Sequence, residues 1–181
     1  MSFKRSITVF CGSSFGRSPA YHDAAYELGR LIGRQGRTLV FGGCLDGLME
    51  VVARSASDAG AQIKSVFIRD LYQEKDHLPG ATEYILPDVA ARKAQLIRLA
   101  DACVALPGGM GTLDELSSVA AMRQLGETSC PIGLIDTDGY YEHLSRFLDQ
   151  MRTEGFLGPE WSDLLIKKSS PEGLLDALDA I

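Results

Sequence analysis

Residues 102–115 read ACVALPGGMGTLDE. Five apolar residues, too few for a helix, stop at a proline–glycine turn. A run with helix-starting chemistry follows, so the stretch is a strand that passes through a glycine-rich loop into a helix. The same unit recurs on both sides of it. Short apolar runs at 6–12, 37–43, 62–68, 82–86 and 131–135 predict further strands. Between them, Ala24, Ala25, Leu28, Leu31 and Ile32 fall at helical spacing, as do Leu48, Val51, Val52 and Ala56. The first of these helices is announced by Ser18–Pro19 and ends at Gly36. The others are expected over 47–59, 87–100, 112–125 and 139–151, with a last short one opened by Ser170–Pro171. Residues 69–81 read as irregular, and so does the stretch holding Phe156 and Trp161.

Strands that are apolar throughout, alternating with helices, belong in a parallel sheet covered on both faces. The predicted fold is α/β: a Rossmann-like, doubly wound parallel sheet with helices on both faces, in one domain spanning 1–181. The chain has 181 residues, 45% of them hydrophobic, which suffices for one core without staples. No apolar run approaches the roughly 18 residues of a membrane span, and the N-terminal apolar stretch is too short for a signal peptide. A net charge of −6 argues against binding a nucleic-acid polymer. Cys11, Cys44, Cys103 and Cys130 form no metal or redox spacing and read as reduced, buried thiols of a cytoplasmic protein. His22, His77 and His143 show no metal-ligand spacing, so neither a metal nor a cofactor is expected.

In a parallel sheet every strand-to-helix loop lies at the carboxyl edge, where ligands bind. Three such loops, 12–16, 42–47 and 107–112, are rich in Gly or Ser. Backbone N–H groups at helix starts favour an anion, most often phosphate. No GxxxxGK[ST] occurs, which excludes a P-loop nucleotidase, and Asp114 stands where a dinucleotide fingerprint needs a third small residue.

The charged residues nearby carry two readings each. Thr112 and Glu115 form a capping-box pattern, which places Thr112 at an N-cap; alternatively, the acids face a sugar. Arg92 and Lys93 occupy the first turns of a helix, the wrong end of its dipole for cations. Either Arg92 pairs with Asp88 on a solvated face, or both cations reach the carboxyl edge and clamp a phosphate. Glu74 is a surface carboxylate unless it lines the same mouth. Tyr140 and Tyr141, with Phe147, read as helix packing.

The run 106–115 preceded by Arg92-Lys93-Ala94 resembles the Lonely-guy (LOG) family of cytokinin riboside 5′-monophosphate phosphoribohydrolases, whose pattern is PGGxGTxxE with an upstream Arg-Lys pair. The likeness extends over 9–14, 39–43, 47–49, 124–126 and 138–141. It implies hydrolysis of the N-glycosidic bond of a cytokinin or adenine nucleoside 5′-monophosphate, giving free base and ribose 5-phosphate. Arg92 and Glu115 would be catalytic. Ser13, Glu74, Arg92, Lys93, Gly108, Gly109, Met110, Gly111, Thr112, Leu113 and Asp114 would bind the nucleotide. The resemblance also implies a homodimer. A non-catalytic nucleotide sensor or carrier on the same scaffold, like the molybdenum-cofactor carriers, is the alternative. The chain departs from the family pattern at Cys44, Glu50, Val89–Ala90, Met122 and 128–130, positions that the resemblance assigns to the base side and the subunit interface, while the phosphate and catalytic elements are kept.

Overall fold

The structure, a computed structural model, describes residue 3 and residues 5–158 and 165–181. Seven parallel strands form one sheet in the order β4-β3-β2-β1-β5-β6-β7. They are β1 (Ser6–Phe10), β2 (Thr38–Phe41), β3 (Gln62–Ile68), β4 (Thr82–Leu86), β5 (Ala102–Ala105), β6 (Ile132–Ile135) and β7 (Leu165–Lys168). Six helices connect and follow them: α1 (Pro19–Arg34), α2 (Gly47–Asp58), α3 (Val89–Arg98), α4 (Met110–Gln124), α5 (Glu142–Thr153) and α6 (Pro171–Asp179).

Six strands and six helices fall where the sequence places them. Ser18 caps α1 by accepting from the Ala20 N–H, and Ser170 caps α6 through the Gly173 N–H. The seventh strand was not expected. Leu165–Lys168 carries two lysines and only two apolar residues, so it lacks the continuous apolar signature of a central strand. It is an edge strand paired with β6. Residues 69–81 contain two short 3-10 turns, Arg69–Leu71 and Glu74–Asp76. Trp161 lies outside the described residues, and Phe156 is exposed.

Alternate strand residues feed two cores. Ile7, Leu39 and Val104 pack with Leu28, Ile32, Val52 and Leu174 from α1, α2 and α6. Phe10, Val40 and Ile132 pack with Leu96 of α3 and with Leu116 and Val119 of α4. Helix α5 adds Leu144 to this second core but buries no residue fully. Chain order runs leftward from β1 to β4 and resumes rightward from β5, so β1 and β5 flank the point of reversal. Among the described residues, no helix is long and apolar enough to cross a membrane.

Candidate active site

The loops leaving β1 and β5 must diverge at that reversal, which leaves a crevice at the carboxyl edge. The three glycine-rich loops meet there. Gly12 N–H donates to the Pro107 carbonyl at 3.0 Å, and Leu48 N–H donates to the Gly12 carbonyl at 3.0 Å. The glycines divide into two kinds. A Cβ on Gly108 would lie 2.1 Å from Thr112 Oγ1, and one on Gly42 would lie 2.0 Å from an Arg92 nitrogen. These two are small because protein packs against them. A Cβ on Gly109 or Gly111 would meet nothing within 4 Å. Those two border open space at the start of α4.

Gly109 is the N-cap of α4, and no side chain caps it. The first intrahelical bond of this turn runs from Leu113 N–H to the Gly109 carbonyl at 3.1 Å. The N–H groups of Met110, Gly111 and Thr112 therefore have no intrahelical acceptor and form an anion cradle. This overturns the capping box. Thr112 is the third residue of the helix, buried, and Glu115 turns away from it. Once the chain leaves Gly108 with Gly109 extended, the N-cap falls three residues early, at Gly109, and the Thr112 pattern lies inside the helix.

Glu115 instead meets Arg92. The Arg92 Nη1 donates to Glu115 Oε1 at 2.9 Å, its Nε to the Val66 carbonyl at 3.0 Å, and its Nη2 to the Gly42 carbonyl at 3.1 Å. One carbonyl within β3 and one just past β2 thus hold the guanidinium, which in turn holds one carboxylate oxygen. The surface pair with Asp88 is not formed. Asp88 caps α3, accepting from Ala91 N–H at 2.8 Å. Burial pushes the Glu115 carboxyl above its ordinary value of 4.5, against the pull of the Arg92 charge and hydrogen bond.

Lys93 pairs with Asp114. Its Nζ lies 2.8 Å from both oxygens of Asp114. That pair neutralises the second acid beside the cradle. Ser13, Met110 and Leu113 are exposed at the crevice. Glu74 is exposed in the turn Glu74–Asp76, and among the described residues no hydrogen bond ties it to Arg92 or Glu115.

Three positioning residues were not foreseen. Asp76 is buried and accepts from Leu45 N–H at 2.9 Å, which fixes the 42–47 loop. Tyr140 and Tyr141 precede α5; Tyr141 does pack, in the core with Leu116 and Val119 of α4, whereas Phe147 is exposed. The Tyr140 hydroxyl donates to the Gly108 carbonyl and the Tyr141 hydroxyl to the Leu106 carbonyl, the latter at 2.6 Å. They pin the loop from above. The sequence signal for them was the likeness over 138–141; in the fold Asp138 has a left-handed φ of 54°. Cys44, Asp46 and Asp76 bring three potential metal-binding atoms within 4.8 Å of one another. Burial, and the Asp46 carboxylate that accepts from its S–H, push the Cys44 thiol up to about 12.

A family model described as "possible lysine decarboxylase" matches residues 49–178. The probable cytokinin riboside 5′-monophosphate phosphoribohydrolase LOGL6 of Oryza sativa subsp. japonica is 38% identical over 179 residues, covering 97% of this chain and 71% of that protein. Cytokinin riboside 5′-monophosphate phosphoribohydrolase LOG5 of Arabidopsis thaliana is 38% identical over 181 residues, covering 98% and 78%. Among solved structures, the molybdenum cofactor binding protein of Rippkaea orientalis has a TM-score of 0.73 at 22% identity, covering 98% of this chain and 96% of that one. A Moco carrier protein of Chlamydomonas reinhardtii has the same score at 20% identity, with the same coverage. At that identity the structural likeness concerns the fold alone.

Proposed function

The chain belongs to the LOG family, and from that premise we propose that it hydrolyses the N-glycosidic bond of a nucleoside 5′-monophosphate, releasing free base and ribose 5-phosphate. The observation that carries this reading is the Arg92–Glu115 pair held 2.9 Å apart beside the uncapped start of α4. A 5′-phosphate fits the N–H groups of Met110, Gly111 and Thr112. Phosphate binding there positions the sugar remotely from the bond that breaks. As the base departs, positive charge develops at C1′ and the ring oxygen. Glu115 Oε1 is engaged by Arg92, which leaves Oε2 to stabilise that charge and to orient the attacking water, as glycosidase carboxylates do. Arg92 keeps the buried carboxylate ionised and aimed.

The reading takes residues 1–181 as one nucleotide-binding unit, working in the cytoplasm, where four free thiols are at home. It also takes the active form to be a homodimer. Leu116, Val119 and Ala120 of α4 are core, whereas Leu125, just past its end, is 74% exposed. Beside them, Leu113, Ala121, Leu144, Leu148 and Met151 line an apolar groove of about 190 Å³ between α4 and α5. Such a face suits a second copy. Light scattering at micromolar concentration is expected to give twice the chain mass, and a monomer mass would refute that part.

The deciding experiment is incubation with AMP and with N6-alkylated AMP, with chromatography of free base and ribose 5-phosphate. Release of base in step with ribose 5-phosphate is the expected outcome. Tight nucleotide binding with no release would favour the carrier reading instead.

A further inference from the structure

We propose that Cys103 and Cys130 form an oxidisable dithiol, a modification site at which a hydroperoxide closes a disulfide that staples the segment after α4 to β5. The two sulfurs lie 3.5 Å apart. A disulfide is about 2.05 Å long, so a movement of about 1.5 Å joins them. Their backbones are already side by side, because Cys103 N–H donates to the Pro131 carbonyl at 2.9 Å.

Access and reactivity are unequal between the two thiols. Cys103 is wholly enclosed in the core. Cys130 lines a polar cleft of about 330 Å³ at the amino edge of the sheet, together with Arg5, Asp101, Thr128 and Ser129. Arg123 donates to the Cys130 carbonyl at 3.2 Å. The Cys103 thiol and the Arg123 charge both favour a Cys130 thiolate and hold it below its usual range. The other two cysteines are poised the opposite way. Burial and the Glu115 charge push Cys11 up. Cys44 is less buried than the other three, yet it donates to Asp46 at 2.9 Å and stays protonated. Reactivity should therefore run against exposure, with Cys130 oxidised before Cys44.

The chemistry needs one equivalent of hydroperoxide. The Cys130 thiolate attacks one peroxide oxygen, the O–O bond breaks, and the departing hydroxide takes a proton to become water. Cys130 is left as a sulfenic acid. The Cys103 sulfur then attacks the Cys130 sulfur while its own proton leaves. The S–O bond breaks, the S–S bond forms, and a second water departs. Two thiols are oxidised and one peroxide is reduced, and a dithiol reductant reverses the bond by exchange. The loop so closed contains the glycine-rich turn and all of α4, Glu115 included. Cross-linking a loop of this length restricts the unfolded chain and should raise the thermal midpoint by about 5–10 °C.

The test treats the reduced, full-length protein with hydrogen peroxide and follows intact mass, cross-linked peptides and the melting midpoint. Two thiols should be lost, a Cys103–Cys130 peptide should appear, and the midpoint should rise and return with dithiothreitol. Cys103→Ala should stop at a sulfenic acid on Cys130, trapped by dimedone, and Cys130→Ser should give neither product. The peptide map of the unaltered protein decides the matter even if a variant folds poorly. Oxidation of Cys44 first, retention of all four thiols, or a disulfide without a rise in midpoint would each overturn the proposal.

Discussion

Two cation–carboxylate pairs sit one residue apart on the same two helices. Arg92 meets Glu115, and Lys93 meets Asp114. In sequence they are near-duplicates, and their distances are 2.9 Å and 2.8 Å. Their surroundings differ. The side chains of the first pair are 17% and 12% exposed, whereas Lys93 and Asp114 are 22% and 51% exposed. Helical periodicity causes the split. Adjacent residues lie about 100° apart around a helix, so if position 115 points inward, position 114 cannot. Burial makes the first interaction strong and rigid, because low dielectric strengthens it and two backbone carbonyls hold the guanidinium. Water and salt weaken the second. The first pair is therefore suited to act on a reacting centre and the second to adjust local charge.

The largest expected effect breaks this comparison most directly. Glu115→Gln keeps shape and removes charge, so base release from AMP should fall roughly 10²–10⁴-fold. Calorimetry should show AMP still bound, because the cradle N–H groups remain. Asp114→Asn should lower the rate by less than about threefold, given the small worth of exposed pairs. Equal losses in the two variants would mean that burial does not separate their roles.

The cations should differ next, in stability. Arg92→Ala strands a buried carboxylate and should cost about 2–4 kcal/mol in urea unfolding, together with weaker AMP binding. Lys93→Ala should cost less than about 1 kcal/mol, an effect that shrinks further in high salt. If AMP affinity is unchanged in Arg92→Ala, the guanidinium has no part in holding nucleotide.

The pH dependence sharpens the contrast. The Glu115 carboxyl titrates above 4.5 in the fold, chiefly because burial disfavours its charged form. The acid limb of kcat/KM should therefore lie above 4.5, higher than an exposed carboxylate would place it. The stability effect has the opposite sense from a salt-bridged surface acid. In the window from 4.5 up to the raised value, the fold binds more protons than the unfolded chain. This group's contribution therefore falls as pH rises through that window. Melting curves of the parent and Glu115→Gln across pH 4–7 should diverge in that direction. An acid limb at or below 4.5 would mean that the ionisation on which the rate depends is not that of Glu115.

Thr112→Ala should have the smallest effect. Thr112 does not cap the helix, so the change removes only a hydroxyl packed beneath Gly108. A stability loss of about 1 kcal/mol or less, with turnover retained, is expected. A collapse of activity here would return the cap to consideration.

Much of this arrangement was legible in the order of residues. Apolar runs of five or so marked six of seven strands, and Ser18 and Ser170 marked two helix starts. Those signals work because strand and helix periodicity and side-chain caps act within a few residues. The glycine-rich loops were legible as sites of close approach. Which glycines accommodate protein and which face open space was not, because Gly42 and Gly108 are crowded by Arg92 and Thr112 in three dimensions.

By itself, then, the sequence determined the alternating elements, the parallel sheet, and the set of residues from which a site had to be drawn. Only the tertiary structure decided the partners. It turned Arg92 from Asp88 to Glu115, 23 positions away, because the carbonyls of Val66 and Gly42 accept from its other nitrogens. It began α4 at Met110 instead of after Thr112, and it made an edge strand of Leu165–Lys168 because β6 offered an unpaired edge. The Arg92 and edge-strand outcomes each satisfy a hydrogen-bonding group that is distant along the chain, and no local pattern specifies which distant group that is.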